Sequence, residues 1–247
     1  MQGRVALVTG GSRGIGRAVA LRFAQAKTHL FIHYFQSGAA AEKTAQEAAA
    51  FGAQVHLLPA DLKDQNQIRG IFKEIEQLYG RLDVLVHNAA SGVLRSVVDL
   101  TAKHWDWVLN TNARSLLLCA REAASIMKEG GRIISLSSLG SSRVIPQYGA
   151  IGISKAALES LTRYLAVELA PRGITVNTVS AGAVETDVWN LVPNGEEILD
   201  RVRERTPCGR LLTANDVAGI IFFLASPEAE MIQGQVIVVD GGYSLLA

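Results

Sequence analysis

A tyrosine and a lysine seven residues apart, Tyr148 and Lys155, form the clearest chemical pattern in this sequence. On an α-helix each residue turns about 100°, so this separation leaves the two side chains about 20° apart on one face. Two serines, Ser137 and Ser138, end the apolar run just before them. Such a cluster donates protons if a redox cofactor binds beside it. The structural alternatives are an aromatic ring that only packs on its loop and a solvated lysine.

Strands that alternate with helices must position this cluster. The predicted strands, which are apolar and rich in β-branched residues, are 4–9, 29–35, 54–58, 84–87, 132–136, 175–179 and 236–239. The predicted helices are 17–26, 38–51, 64–79, 103–128, 148–170 and 215–224. This alternation indicates an α/β fold with a doubly wound parallel sheet covered by helices on both faces.

Bulk properties narrow the class of protein. The 247 residues show no composition shift, linker or repeat, so we expect a single domain over 1–247. A formal net charge of +1 gives no electrostatic case for nucleic acid or a membrane surface. No apolar run reaches about 18 residues and no signal peptide precedes the first strand, so we expect a cytoplasmic protein. Cys119 and Cys208 fit neither a disulfide framework nor a zinc site, and we expect no metal.

A glycine-rich loop, Thr9 to Gly16, joins the first predicted strand to the first predicted helix. Glycines at this place let the backbone approach a pyrophosphate, and the helix N-terminus offers unpaired N–H groups. The loop therefore predicts a dinucleotide cofactor. The alternative is a turn that serves only the close packing of strand and helix.

The end of the second predicted strand indicates which dinucleotide binds. Enzymes that use NAD usually place an acidic residue there for the ribose 2′-hydroxyl, and this sequence has none before Glu42. Arg13 favours NADPH instead, because a guanidinium binds a 2′-phosphate, and Ser37 would add a hydroxyl contact. Asp61 is a candidate for the adenine amino group. The alternatives are a solvated Arg13 and a helix cap at Asp61.

Over essentially its full length the chain resembles the short-chain dehydrogenase/reductase family. The matching motifs are Thr9–Gly16, Asp61, Asn88-Ala89-Ala90, Asn112, the serines after the fifth strand, Lys155 and Val239-Asp240-Gly241-Gly242. The resemblance implies a seven-stranded Rossmann sheet, assembled as a homotetramer.

The resemblance also implies individual roles. Asn112 would hold a water linked to the active site, Lys155 would bind the nicotinamide ribose and lower the tyrosine pKa, and Thr186 would bind the carboxamide. The implied cofactor-binding residues are Gly10, Ser12, Arg13, Gly14, Ile15, Gly16, Ser37, Asp61, Leu62, Asn88, Ala89, Lys155, Gly182, Val184 and Thr186.

One departure from the family decides the predicted reaction. The family's usual tyrosine lies four residues before the lysine, and that position is Ile151 here. The spacing of Tyr148 is similar to that of the enoyl-acyl-carrier-protein reductases. The segments that resemble the NADPH-dependent enoyl-acyl-carrier-protein reductase III branch are 105–107, 137–141 and 154–169. The resemblance implies reduction of the trans-2 double bond of enoyl thioesters on acyl carrier protein, in fatty-acid synthesis. The implied catalytic residues are Tyr148, Lys155, Ser138 and Asn112.

The displaced tyrosine has a chemical rationale. In a 2-enoyl thioester, hydride adds to Cβ and negative charge accumulates on the thioester oxygen, farther from the hydride donor than a ketone oxygen would be. Moving the tyrosine by three residues shifts its attachment by about 4.5 Å along the helix. Two alternatives stay open: a 3-oxoacyl-acyl-carrier-protein reductase or other carbonyl reductase, and a non-catalytic NADPH-binding protein. Ser138 either helps catalysis or only holds its loop.

The least regular stretch, residues 181–209, is predicted to be a substrate loop. Its apolar candidates for contact with the acyl chain are Val184, Val188, Trp189, Leu191 and Val192. Candidates for docking an acidic carrier protein are Arg201, Arg203, Arg205 and Arg210, with an ordinary solvated surface as the alternative.

Overall fold

A single parallel sheet forms the centre of the structure, a computed structural model that describes residues 1–186, 189, 192 and 194–246. Its seven strands have the order β3-β2-β1-β4-β5-β6-β7. The strands are β1 Val5–Thr9, β2 His29–Tyr34, β3 Val55–Pro59, β4 Leu82–His87, β5 Met127–Ser138, β6 Thr175–Ala181 and β7 Val236–Val239. The predicted Rossmann-type sheet of seven strands is confirmed.

Helices cover both faces of the sheet. They are α1 Gly14–Gln25, α2 Gly38–Ala49, α3 Gln65–Tyr79, α4 Ala102–Leu109, α5 Ser115–Ile126, α6 Gly149–Leu169, α7 Gly195–Arg205 and α8 Ala214–Leu224. One apolar core joins α3, α5 and α6 to the sheet, and a second core joins α1, α2 and α8 to its other face. Within the described residues, no helix is long and apolar enough to cross a membrane.

The predicted helix 103–128 is two helices. A π-helical turn at Asn110–Arg114 separates α4 from α5, and β5 already begins at Met127. Side-chain hydroxyls bond to backbone carbonyls across this turn, Thr111 Oγ1 to Trp107 O at 2.8 Å and Ser115 Oγ to Thr111 O at 2.5 Å. Such turns are rare in helices and often lie at functional sites. An apolar periodicity does not reveal them.

The stretch 181–209, predicted to be irregular, contains helix α7. Glu196 and Glu197 lie in its first turn, and Arg203 and Arg205 lie in its last turn, so its charges complement the helix dipole. Val188 and Leu191 lie outside the described residues.

The chain order reverses between β1 and β4, which are neighbours in the sheet. β1 leads to β2 on one side, and β4 leads to β5 on the other. In open parallel sheets, ligands bind at the carboxyl ends of the strands beside such a reversal. The glycine-rich loop follows β1 and the two serines end β5, so both predicted sites open into this crevice.

Candidate active site

The ends of β1 and β4 are tied together on the floor of the crevice. Thr9 Oγ1 accepts the backbone N–H groups of Asn88 and Ala89, each at 3.0 Å. In return, the Asn88 Nδ2 amide donates to the carbonyl oxygens of Thr9 and Gly10, each at 3.0 Å. Asn88 and Ala89 therefore fix the shape of the glycine-rich loop.

The glycine-rich loop forms a cradle that side chains would fill. Gly10 has a φ of +63°, and a Cβ added at Gly16 would lie 2.1 Å from the Gly10 carbonyl oxygen. The N–H groups of residues 12–16 have no acceptor within the described part of the chain, and Arg13, the N-cap of α1, makes no side-chain cap. Free N–H groups at a helix N-terminus bind anions such as a pyrophosphate. The residues present therefore fit the pyrophosphate of a dinucleotide cofactor.

Arg13 is exposed and forms no hydrogen bond or ion pair with any described residue. Next to it, Ser12 accepts a hydrogen bond from Thr44 of α2 through its backbone oxygen, at 3.0 Å. This bond joins the loop to the helix that Ser37 precedes, and Ser37 also makes no side-chain cap. The arrangement leaves a guanidinium and a hydroxyl without partners among the described residues.

Asp61 is not a helix cap. Asp64 caps α3 by accepting the N–H groups of Asn66 and Gln67. Asp61 instead accepts the Lys63 N–H at 2.9 Å and pairs with the Lys63 ammonium at 3.3 Å. The neighbouring Leu62 is buried in the core, so only its backbone can face a ligand.

Lys155 lies under the crevice at the end of β5. It is 5% exposed, and its Nζ donates to the Leu136 carbonyl oxygen at 2.6 Å. Burial lowers the pKa of Lys155 to about 8, and the negative charge of Glu159 opposes that change. Its two other N–H donors have no acceptor among the residues described, which suits the hydroxyls of a ribose.

Tyr148 is the N-cap residue of α6, and its hydroxyl lies 3.2 Å from the Ser138 hydroxyl. Burial raises the pKa of Tyr148, and its hydrogen bond with Ser138 lowers it by less. The expected lowering of this pKa by Lys155 is wrong, because desolvation of the phenol dominates. Tyr148 therefore keeps its proton at neutral pH and can donate it.

The backbone before Tyr148 is strained. Gln147 has a φ of +61°, which a residue with a side chain rarely adopts. Its carbonyl oxygen accepts the Arg95 N–H at 2.7 Å, and the Tyr148 ring lies against Gly140, where an added Cβ would be 2.6 Å from the ring. Contacts from two loops therefore hold the phenol in place.

Ile151, at the family's usual tyrosine position, packs against the loop that follows β4. A Cβ added at Gly92 would lie 2.2 Å from the Ile151 Cγ1 atom. Ile151 is therefore an apolar contact on the same helix, one turn after the phenol.

Asn112 is fully buried in the π-helical turn. Its Oδ1 accepts the Ser91 N–H at 2.8 Å, and its Nδ2 donates to Ser91 O and to Ser154 Oγ, each at 2.9 Å. These bonds connect the turn to the loop after β4 and to α6. The side chain is engaged by protein groups, and its expected role in holding a water stays a prediction.

The segment after β6 reaches the glycine-rich loop. The Thr186 Cγ2 atom lies 3.7 Å from the place of an added Cβ at Gly14, and Gly182 lies against Asp240. Val184 forms a β-bridge with Leu212, and its side chain is 7% exposed in the core. Its contact with the acyl chain stays a prediction.

Two residues beside the site escaped the sequence analysis. His33 contacts the glycine-rich loop from β2 through Gly10 N at 3.2 Å. Glu159 lies one turn after Lys155, and accepts a hydrogen bond from Ser137 Oγ. A polar residue inside the apolar strand HLFIHY was a signal for the first, and helical spacing from Lys155 was a signal for the second.

The surface of α7 has mixed charge. Arg203 is paired with Asp200, and Arg210 with Asp216 through two hydrogen bonds. Arg205 lies over the Tyr243 ring, 5.6 Å from its centre, and Arg201 donates to the carbonyl oxygen of Glu197. Arg203 and Arg210 are therefore paired with carboxylates, and docking of a carrier protein by these arginines stays a prediction.

The fold and crevice define a class, the nucleotide-binding Rossmann proteins. A family model described as "Enoyl-(Acyl carrier protein) reductase" matches residues 10–244. A 1-cyclohexenylcarbonyl-CoA reductase from Streptomyces collinus is 40% identical over 246 residues, which cover 99% of this chain and 88% of that protein. A hydroxynaphthalene reductase-like protein from Metarhizium anisopliae is 35% identical over 254 residues, covering 98% of this chain and 95% of the relative.

Solved structures of dehydrogenases and reductases also resemble this chain. A short chain dehydrogenase from Burkholderia cenocepacia J2315, in complex with NADP, aligns with a TM-score of 0.91 and 37% identity over 98% of both chains. The chain belongs to the short-chain dehydrogenase/reductase family. It is an oxidoreductase.

Proposed function

We propose that this chain uses NADPH to reduce the trans-2 double bond of 2-enoyl thioesters. The observation that carries the proposal is the displaced donor. The phenol of Tyr148 lies 3.2 Å from the Ser138 hydroxyl, while the family's usual donor position holds Ile151, packed against Gly92. In an enoyl thioester, the oxygen that becomes negative lies farther from the hydride donor than a ketone oxygen would. The shift of the tyrosine by three residues along α6 would place the phenol at this more distant oxygen.

The free polar groups of the adenosine side support NADPH as the cofactor. Arg13 is exposed and unpaired in the described structure, and no acid ends β2. A guanidinium binds a phosphate with two parallel hydrogen bonds and loses that partner when the 2′-phosphate is absent. The NADP bound to the Burkholderia neighbour is in accord with this choice.

Three of the four candidate catalytic residues have a role in the proposed mechanism. NADPH, when bound by the glycine-rich loop, would supply the hydride for Cβ of the substrate. Tyr148 would donate a hydrogen bond, and finally its proton, to the enolate oxygen, with Ser138 orienting the phenol. The resulting enol would become the saturated thioester by gaining a proton at Cα and losing the one on oxygen. A well-placed donor to such an oxyanion lowers the barrier by about 3 kcal/mol. Lys155 would bind the ribose hydroxyls of the cofactor through its remaining N–H donors, and its pKa of about 8 keeps it protonated at neutral pH.

The carrier of the acyl group is acyl carrier protein in this proposal, in fatty-acid synthesis. The matching family model is described by that carrier, which supports the choice. The Streptomyces collinus relative is named for a CoA thioester of a similar unsaturated acyl group. Both names describe a double bond next to a thioester carbonyl. They differ in the carrier, so a comparison of CoA and acyl carrier protein substrates must test that part of the proposal.

Carbonyl reduction is the second candidate function. Ser138 stands where ketoreductases of this family have a catalytic serine, and its hydroxyl is within 3.2 Å of a phenol. The Metarhizium anisopliae relative is named as reductase-like toward a hydroxynaphthalene. Under this alternative, Tyr148 must reach a ketone oxygen despite its displacement.

We also propose that the chain forms a homotetramer in the cytoplasm. Tyr164 and Val167 on α6 are 68% and 75% exposed, and Val238 on β7 is 50% exposed. Large apolar side chains on one helix and on the last strand suit burial between subunits.

A paired assay tests the reaction. Initial rates are measured with crotonyl and 3-oxobutyryl thioesters, each on CoA and on acyl carrier protein, and each with NADPH and NADH. The proposal predicts fast oxidation of NADPH with the crotonyl thioester and a preference for the carrier protein. Reduction of the 3-oxo substrate alone would replace it with the carbonyl reductase. NADPH binding without turnover of any substrate would leave a non-catalytic binding protein.

A further inference from the structure

The ring of His33 bridges two loops of the crevice from below. It lies in β2 and is 2% exposed. Its Nδ1 atom is 3.2 Å from the Gly10 nitrogen, and its Nε2 atom is 3.0 Å from the Ala60 carbonyl oxygen. The backbone oxygen of His33 accepts the Gly11 N–H at 3.0 Å. One residue thus contacts the loop after β1 and the turn after β3.

The partners fix the chemistry of the ring. The Gly10 N–H is a donor, so Nδ1 must be the unprotonated nitrogen. The Ala60 oxygen only accepts, so Nε2 must carry the proton. A single neutral tautomer satisfies both bonds, and burial lowers the pKa of His33 to about 4, which keeps the ring neutral.

We propose that His33 is a positioning residue for the nicotinamide dinucleotide, which sets the spacing between the pyrophosphate loop at Gly10 and the adenosine-side turn at Ala60. It acts through these two backbone segments and does not contact the cofactor. The inference rests on the cofactor part of the proposed function and is independent of which thioester or ketone is reduced.

The bonds of His33 determine which N–H groups of the glycine-rich loop stay free for a ligand. The N–H groups of Gly10 and Gly11 are both committed to His33, whereas those of residues 12–16 have no acceptor within the described ranges. The first part of the loop is therefore anchored, and its second part is open to the pyrophosphate. On the other side, Asp61 follows Ala60 directly, so the same ring positions the candidate partner of the adenine.

Substitutions can remove the two bonds separately. In His33→Asn, the side-chain oxygen takes the place of Nδ1 and keeps an acceptor for Gly10, but it does not reach Ala60. In His33→Gln, the amide takes the place of Nε2 and keeps a donor for Ala60, but the acceptor for Gly10 is lost. His33→Leu removes both. The control is His56→Gln, because His56 lies on β3 and bonds to the Tyr79 hydroxyl at 3.0 Å, away from both loops.

Dissociation constants for NADPH and NADH are measured by fluorescence titration without substrate, together with the melting temperature of each free variant. Since an unpaired buried group disfavours the ordered loop, we expect about threefold to fivefold weaker binding in the Asn and Gln variants and about tenfold or more in the Leu variant. The factor should be the same for NADPH and NADH, because the bonds of His33 go to Gly10, Gly11 and Ala60 and not to Arg13 or Ser37. His56→Gln should bind both nucleotides as the unchanged chain does.

The inference is overturned if His33→Leu binds both nucleotides within twofold of the unchanged chain, or if the weakening is confined to NADPH. Should the Leu variant fail to fold, unchanged affinity in both the Asn and Gln variants overturns the inference equally. A loss of affinity in His56→Gln equal to that in the His33 variants would assign the effect to general destabilisation and also overturn it. Failure of the unchanged chain to bind either nucleotide would contradict the proposed cofactor itself.

Discussion

The two halves of the crevice are built differently. On the cofactor side, Arg13 and Ser37 are free of side-chain partners in the described structure, above a backbone that His33 and Asn88 anchor. On the catalytic side, the groups that would act are bonded to other parts of the site, Lys155 to Leu136 O among them. Mutations on the cofactor side should therefore change nucleotide affinity with little effect on chemistry, whereas Lys155, which would serve both the ribose and the reaction, should change both.

Removal of the buried ammonium should have the largest effect. Lys155→Ala deletes a buried positive charge under the crevice and the candidate donors for the ribose, so we expect kcat/KM to fall by about 10³-fold with a weaker affinity for NADPH. Steady-state kinetics and nucleotide titration measure the two parts. The control is Lys73→Ala, since Lys73 is an exposed lysine on α3. A loss below about tenfold would contradict the assigned role.

Acid should destabilise the fold through the buried histidines, one under each half. Burial lowers the pKa of His33 to about 4 and that of His87 to about 3. The unfolded chain therefore binds more protons below pH 6.5, and the free energy of unfolding should fall as the pH drops from about 6.5 towards 4, by up to roughly 3 kcal/mol for His33. Urea unfolding of His33→Asn across this range should show a shallower decline. Equal slopes in the two proteins would refute this.

Loss of the free guanidinium should change cofactor choice with little other effect. Arg13→Ala removes the candidate partner of the 2′-phosphate, so we expect the KM for NADPH to rise about 30-fold while the KM for NADH and the melting temperature stay unchanged. Arg22→Ala is a matched control from the same helix, because Arg22 lies over the Phe222 ring. An equal increase for both nucleotides would place Arg13 elsewhere in the binding site.

The smallest effect should come from the isoleucine that replaces the family's tyrosine. Ile151→Val removes one methylene from its contact with Gly92, so we expect a loss of about 1 kcal/mol in the free energy of unfolding and a kcat within twofold. Thermal melting and initial rates measure both. A large loss of kcat would show that Ile151 takes part in the chemistry.

Much of the fold could be predicted from the sequence, because the strands are apolar runs and the glycine-rich loop marks the end of β1. The π-helical turn at Asn110–Arg114 could not, since it keeps a helical composition and differs only in hydrogen bonding. Helix α7 was hidden by its charges, because only a short apolar stripe identifies a helix on the surface.

The candidate catalytic residues could be predicted from their spacing in the sequence, whereas the residues that hold the site in place could not. Tyr148, Ser138 and Lys155 were predicted from helical geometry and motif, and the structure brings the first two into contact. The bridge of His33 and the strained Gln147 depend on loops that are distant in sequence. The pKa of Tyr148 was predicted in the wrong direction because burial is a property of the folded chain.

The most direct test of the displaced donor is Tyr148→Phe, which keeps the ring against Gly140 and removes only the hydroxyl. We expect kcat for NADPH-dependent reduction of a crotonyl thioester to fall by about 10²-fold or more, with an unchanged dissociation constant for NADPH. A loss of about tenfold or less, at unchanged NADPH affinity, would show that another group donates the proton to the enolate and would contradict the role of Tyr148.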